Sequence, residues 1–282
     1  MKVFKLVKRD IVLGMWKKVR YLAFAIVCVI GCMNFSSLMQ DSLEVFGKTN
    51  PSMADCLAFA FRGTEPMIQK DVTSEFIIPP IWLMLMLLYL LMPLDYPVKS
   101  MEGWGSQYLV RANRRSWWNA KCIYTMSVNV ITFLLQVVII LLFCLIKQMP
   151  VSMHNHQMFY EMIYEVDSTV RMSVWDNILL LIVLPLLGII AMSMLQLFVA
   201  VWLNPYIAYL SSIVIIVCSV LLNSPALLAN HTMAIRSVLV CEGGIKNEEA
   251  ILWCIGIVVF VWIMGIMFVK KKDMLVLKKE DI

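Results

Sequence analysis

Six stretches of this 282-residue chain are nearly unbroken apolar runs, each about as long as a bilayer is thick. They are Tyr21 to Leu38, Ile77 to Leu94, Cys122 to Ile146, Ile178 to Trp202, Tyr206 to Leu222 and Ile251 to Val269. A helix needs about 20 such residues to cross the hydrocarbon layer. Backbone amides in lipid must be satisfied within their own segment, and the runs lack the polar–apolar alternation of barrel strands. They therefore predict six transmembrane α-helices. Pro79, Pro80 and Pro93 fall near run ends, Pro185 marks a kink, and Asn204-Pro205 predicts a very tight turn between runs four and five. The fold class is all-α, with residues 1–282 forming one transmembrane domain.

Residues 1–18, MKVFKLVKRDIVLGMWKK, are too charged to span. Phe4, Val7, Ile11 and Met15 fall on one stripe of a helical wheel, with Lys2, Lys5, Lys8 and Arg9 beside it. This predicts an amphipathic helix lying flat on the membrane, its basic face toward anionic headgroups. A basic tail that only fixes topology is the plainer alternative. The segment does not read as a signal peptide, because no small-residue cleavage site follows the first run.

Composition agrees with the pattern. Hydrophobic residues make up 61% and charged residues 15%, against about 25% charged in soluble domains. The net charge of +5 would suit nucleic acid, but its distribution excludes that partner. Seven Lys and Arg lie in the first 20 residues, five in the 95–121 loop and five after the sixth run; the remaining loops hold six, with Lys147 at a border. Basic residues gather on the cytoplasmic side of membrane proteins. The expectation is a multi-pass protein of a bacterial cell membrane with both termini and the 95–121 loop in the cytoplasm. The eight cysteines include no CxxC pair and lie mostly in apolar runs, which argues against a disulfide framework or a zinc site. Cys56 and Cys241, in polar loops, are the one pair that could meet outside.

Candidate chemistry is sparse. There is no GxxxxGK[ST], GxSxG or HExxH, and no run carries Asp, Glu, Lys or Arg at its middle, as proton relays and ion-coupled carriers usually do. His154 and His156, followed by Glu161, Glu165 and Asp167, match no metal-ligand spacing and read as an acidic solvated segment. The expectation is no metal site and no catalytic residue. The candidates for a pathway lining are Asn129, Gln136, Ser193 and Gln196, with hydrogen bonding between helices as the alternative role for each. Residues 223–249 hold two short apolar stretches, around Ala226 to Ala229 and Val238 to Cys241. Neither can span, and both could dip into the outer leaflet as re-entrant helices.

The densest internal basic cluster is GSQYLVRANRRSWWNAK, residues 105–121. Gly103 and Gly105 flank Trp104 and interrupt any helix. A short helix from Ser106 to Ala112 is too short to stand alone. Ser116 can cap the next helix, Trp117 and Trp118 suit interfacial depth, and Lys121 can snorkel to the same surface. A basic loop with an aromatic belt explains the charges and tryptophans, but not the Gly-x-Gly break.

With these features the chain resembles an ABC type-2 transporter permease, the membrane subunit of an ATP-driven exporter. That family has six spans, an N-terminal elbow helix and a coupling helix between spans two and three. Members from Gram-positive bacteria often carry G-x-G-x-Q-x-L-x-R followed by S-R-x-x-W-W-x-x-K. Gly103, Gly105, Gln107, Leu109 and Arg111 stand at the first part. Arg114, Arg115, Ser116, Trp117, Trp118 and Lys121 match the second loosely, and Met233, Arg236 and Ser237 fit an M-x-x-R-S element after span five. The resemblance implies docking of a separate ABC ATPase on Gly103, Gly105, Gln107, Arg111, Arg114 and Arg115. It also implies ATP and Mg in that partner and none bound by this chain, a second permease subunit, identical or homologous, and export of an amphipathic or apolar substrate such as a peptide, with a lipid or drug next. An ATPase-independent channel or receptor-like protein is the alternative, and a polytopic enzyme a distant third.

Overall fold

The computed structural model describes residues 2–14, 18–46, 51–65, 79–101, 113–165, 172–241 and 243–271. They are helical apart from connecting turns and one isolated bridge between Ser237 and Ile245. The helices are α1 (Lys2–Gly14), α2 (Lys18–Phe46), α3 (Met53–Phe61), α4 (Pro80–Leu91), α5 (Tyr96–Lys99), α6 (Arg114–Ile146), α7 (Gln157–Tyr164), α8 (Val174–Trp202), α9 (Pro205–Leu221) and α10 (Asn247–Lys271).

Among the described residues, five helical segments are long and apolar enough to cross a membrane: Val19–Leu43, Pro80–Lys99, Arg114–Ile146, Val174–Trp202 and Asn247–Val269. The fifth expected span, α9, has 17 residues and falls just short of the others. The helices run past the apolar runs because caps, not hydropathy, set their ends. Asn113 accepts from the Arg115 amide at the start of α6, and Asn204 from the Ile207 amide at the start of α9. Ser116, expected as the cap, lies inside the first turn of α6. At the start of α8, Ser173 and Asp176 cap one another's backbone amides. Residues 179–183 of α8 form a π turn. Pro185 lacks an N–H and its ring crowds the carbonyl four residues back, so a widened turn just ahead of it absorbs the expected kink.

Each long helix buries one stripe and exposes another. On α2, Phe24, Cys28, Cys32 and Phe35 face inward, while Val19, Leu22, Ile26, Ile30 and Met33 face out. On α10, Leu252, Ile255, Val259, Ile263 and Met267 are exposed in the same spacing. An apolar outer stripe suits a lipid solvent rather than water. Aromatic contacts fill the centre: Phe24 meets Tyr89 edge-on at 4.9 Å, and Phe61 stacks on Phe133 at 5.9 Å.

The bundle has two unlike ends. At one, α1 lies beside the start of α6 and reaches Tyr96 of α5. At the other, α3, α7 and residues 223–246 form a cap. Ser52 and Asp55 make a capping box on α3; the Met53 and Ala54 amides donate to Pro150 and Ser152 carbonyls, and the Ser52 hydroxyl donates to the His154 carbonyl. Residues 223–246 are not a pair of re-entrant helices. They fold into two 3-10 turns, Leu228–Thr232 and Ala234–Arg236, buried against α8 and the end of α9. Trp82 Nε1 donates to Thr232 Oγ1 at 3.0 Å. Gly63 adopts φ +74°, where a Cβ would also collide with Met233. Cys56 and Cys241 form no disulfide with one another.

Candidate functional site

Gly103, Gly105, Gln107 and Arg111, with the expected helix from Ser106 to Ala112, lie outside the described residues. What is described is how both edges of their loop are held. Asp10 of α1 is 1% exposed, as is Lys121 of α6, and their charged atoms are 2.7 Å apart. Tyr96 of α5 donates its hydroxyl to the other oxygen of Asp10 at 2.8 Å, and Arg9 reaches the same oxygen at 3.5 Å. The Lys121 ammonium lies 4.7 Å from the centre of the Tyr96 ring and 5.7 Å from that of Trp117, within cation–π range. So α1 grips the element before the loop (α5) and the element after it (α6) through one carboxylate.

A second clamp supports the first. Arg20, at the start of α2, donates to the Leu91 carbonyl at 2.7 Å and to Asp95 at 2.5 Å; Lys99 lies 3.7 Å from the same carboxylate. Glycine makes the close approach possible, since a Cβ at Gly14 would run into the Tyr124 ring on α6. Asp10 sits among six basic residues in the first 18, and only its spacing from Val7 and Gly14 put it on the inner face.

The expected membrane-facing stripe of α1 is therefore rotated. Val7 is buried against α6, Ile11 half-buried and Phe4 76% exposed; Met15 lies outside the described residues. The outer face carries Phe4, Lys5, Lys8, Val12 and Leu13. Trp117 and Trp118, expected at the surface, are inside the bundle. Trp118 Nε1 donates to the Trp262 carbonyl and Trp262 Nε1 to Asn119, fastening α6 to α10. Lys121, expected to snorkel, is drawn inward by Asp10. Arg115 is exposed and Arg114 half-buried.

The pathway candidates are all interior. Tyr89 donates to Gln136 Oε1 at 2.5 Å; Gln196 donates to the Leu90 carbonyl at 3.0 Å and accepts from Ser212 at 3.3 Å. These hydrogen bonds pin α4 to α6 and α8, and α8 to α9. Asn129 differs: fully buried, it has no partner for either amide atom, and the hydroxyls of Thr125 and Ser193 also lack one. Thr125, Ser193 and Gln196 line a void of about 10 Å³. Thr125 lies one turn from Asn129 on the same face of α6, so the unpaired groups form a polar layer between α6 and α8.

At the cap, Asp55 is fully buried and accepts from the Ser52 amide and hydroxyl and the His156 amide. Burial outweighs those bonds and pushes its carboxyl up to about 6. His231 is buried with Nε2 2.8 Å from the Pro225 carbonyl, and burial lowers its basicity. Arg236, 2% exposed, donates to the Thr64 carbonyl at 2.6 Å and the Val220 carbonyl at 3.0 Å, so it joins the α3 exit to the α9 exit. Burial lowers it to about 10, and it stays charged near neutrality.

The helices and their apolar outer stripes have the make-up of a multi-pass helical membrane protein. Compared with protein-family models, curated proteins and solved structures, the chain matches none.

Proposed function

We propose that this chain is the permease subunit of an ATP-driven exporter of the ABC type-2 kind, fuelled by a separate ATPase that docks on the 102–115 loop. The observation that carries the reading is the Asp10 junction. One buried carboxylate ties α1 to Tyr96 ahead of the loop and Lys121 behind it. A push on the loop is thereby handed to α1, α4 and α6 together, as an ATP-driven switch requires. Gly103, Gly105, Gln107, Arg111, Arg114 and Arg115 are the proposed docking residues. ATP and Mg belong to the partner.

Six crossings fit the cap. Arg236 binds Thr64 and Val220 carbonyls at once, which supports residues 64 and 236 sharing a face with an even number of crossings between them. With α4, α6 and α8 as three, α9 is the fourth. The basic excess then puts α1 and the loop in the cytoplasm, and the cap outside.

Asn129, Gln136, Ser193 and Gln196 lie in helix contacts within one chain, which favours a path between two permease subunits over a channel through one. The substrate class is amphipathic or apolar, a peptide first, because the outer faces of the long helices, which a second subunit would meet, carry apolar side chains. The test is purification in mild detergent from native membranes. A stoichiometric ATPase, lost when Arg111, Arg114 and Arg115 become Glu, supports the proposal; well-folded protein with no ATPase sinks it and returns the channel reading.

A further inference from the structure

One cavity lies at the cap end of the bundle. It holds about 210 Å³ beneath the cap. Trp82 and Ile235, both nearly inaccessible, and Ile81 supply apolar walls. Arg62 and Glu165 also line it, paired at 2.6 Å with side chains 31% and 69% exposed, so this pair stands at its mouth.

Asn34 shows where the cavity opens. It is an exposed residue of α2, next to Met33 on the apolar outer stripe. Arg20, with its partners Asp95 and the Leu91 carbonyl, marks one membrane boundary. Asn34 lies 14 residues further on, about 21 Å along the helix. The hydrocarbon layer is about 30 Å thick, so Asn34 is still within it, while the ion pair belongs to the cap beyond. Among the described residues the cavity therefore reaches from hydrocarbon depth to headgroup depth, with the exposed Asn34 on its lipid side.

Its size and charge narrow the occupant. Sites that enclose a whole drug-sized ligand measure about 300–1,000 Å³, so this one takes an end of a molecule whose remainder lies in the bilayer. The lining sets one cation, Arg62, against two carboxylates, Glu165 in the ion pair and Glu65 nearby. An anionic lipid would take Arg62 and leave Glu165 repelling its headgroup. A headgroup with both signs can replace the pair without leaving either charge alone, and opening an exposed ion pair costs little.

We propose that this cavity is a binding site for a zwitterionic aminophospholipid, its phosphate on Arg62, its ammonium on Glu165 and the start of an acyl chain against Ile81 and Trp82. The proposal requires membrane insertion but no ATPase, so it stands or falls separately from the exporter reading.

The test is native mass spectrometry of the full chain in mild detergent, titrated with phosphatidylethanolamine or phosphatidylglycerol. Phosphatidylethanolamine should be retained about tenfold better, the scale of one charge-assisted hydrogen bond. Glu165→Gln should bring the two lipids level, and Arg62→Gln should weaken both about tenfold. Glu165 is exposed and Arg62 half-buried, and unchanged melting temperatures will verify that the variants fold. Phosphatidylethanolamine with a diazirine near the top of its acyl chain should crosslink to peptides containing Asn34 or Ile81. Equal retention of both lipids by the wild type, a wild-type ratio in Glu165→Gln, wild-type retention of both lipids in Arg62→Gln, or crosslinks confined to other segments would overturn the proposal.

Discussion

Replacing Lys121 with Met should be among the most damaging single changes in this chain. The ammonium stands 2.7 Å from an Asp10 oxygen, with both side chains 1% exposed. At an effective dielectric of 20, two unit charges at that distance attract by about 6 kcal/mol. Much of this offsets the cost of desolvating both ions. Removing one partner leaves the desolvation of the other uncompensated, and loss of one member of a buried pair costs about 3–5 kcal/mol. Arg9, 3.5 Å away, can recover only part. At about 2 °C per kcal/mol for a chain of this size, K121M should melt ~6–10 °C lower in mild detergent. Asp10→Leu alone should cost a similar amount, because it strands the ammonium. The double variant replaces both charges with apolar groups of similar volume and should return to within about 1 kcal/mol of wild type. Thermal unfolding of all four proteins completes the cycle. Single variants that melt like wild type, or costs that simply add, would refute the buried junction.

Asn129→Leu should stabilise the chain by about 1–3 kcal/mol, since it removes two buried polar atoms without partners; a lower melting temperature would mean the amide is paired in the membrane. Asp55 binds its proton up to about 6, against an ordinary value of 3.8. The folded state therefore holds a proton the unfolded chain has released, and stability falls as pH rises from about 4 to about 6, by up to ~3 kcal/mol. Asp55→Asn should flatten that dependence in melting curves, and an unchanged slope would exclude Asp55 as its source. Gly63→Ala adds both a left-handed-region penalty and a clash with Met233, so it should lower stability by about 1–3 kcal/mol; proteolysis of residues 223–246 should accelerate in step.

The long helices were legible in the sequence because lipid leaves the backbone one solution and hydropathy reports it directly. What hydropathy cannot report is which face turns inward. Trp117 and Trp118 read equally well as a surface belt or as packing against α10, and Trp262 decided for packing. The stripe expected on α1 left Asp10 out of account. Buried polar groups must find partners, and the only acid among so many bases was the signal that α1 docks through it. Ser-x-x-Asp at 52–55 and 173–176 also announced two helix starts that the run boundaries hid. The cap was the least legible part. Arg236 finds its carbonyl partners 16 and 172 residues away, and no local pattern encodes that.

The Asp10 junction also sets a clock. Asp10 and Lys121 are 111 residues apart in the chain. At 5–20 residues per second, about 6–22 s separate their synthesis. Throughout that interval α1 has already been made but lacks its cation, its Tyr124 surface and, for most of the time, Tyr96. Docking α1 therefore reports that the first two long apolar helices are complete and the third begun. A chain truncated before residue 121 would leave the carboxylate in water and the first helix undocked, a form that quality-control proteases could tell from the finished protein.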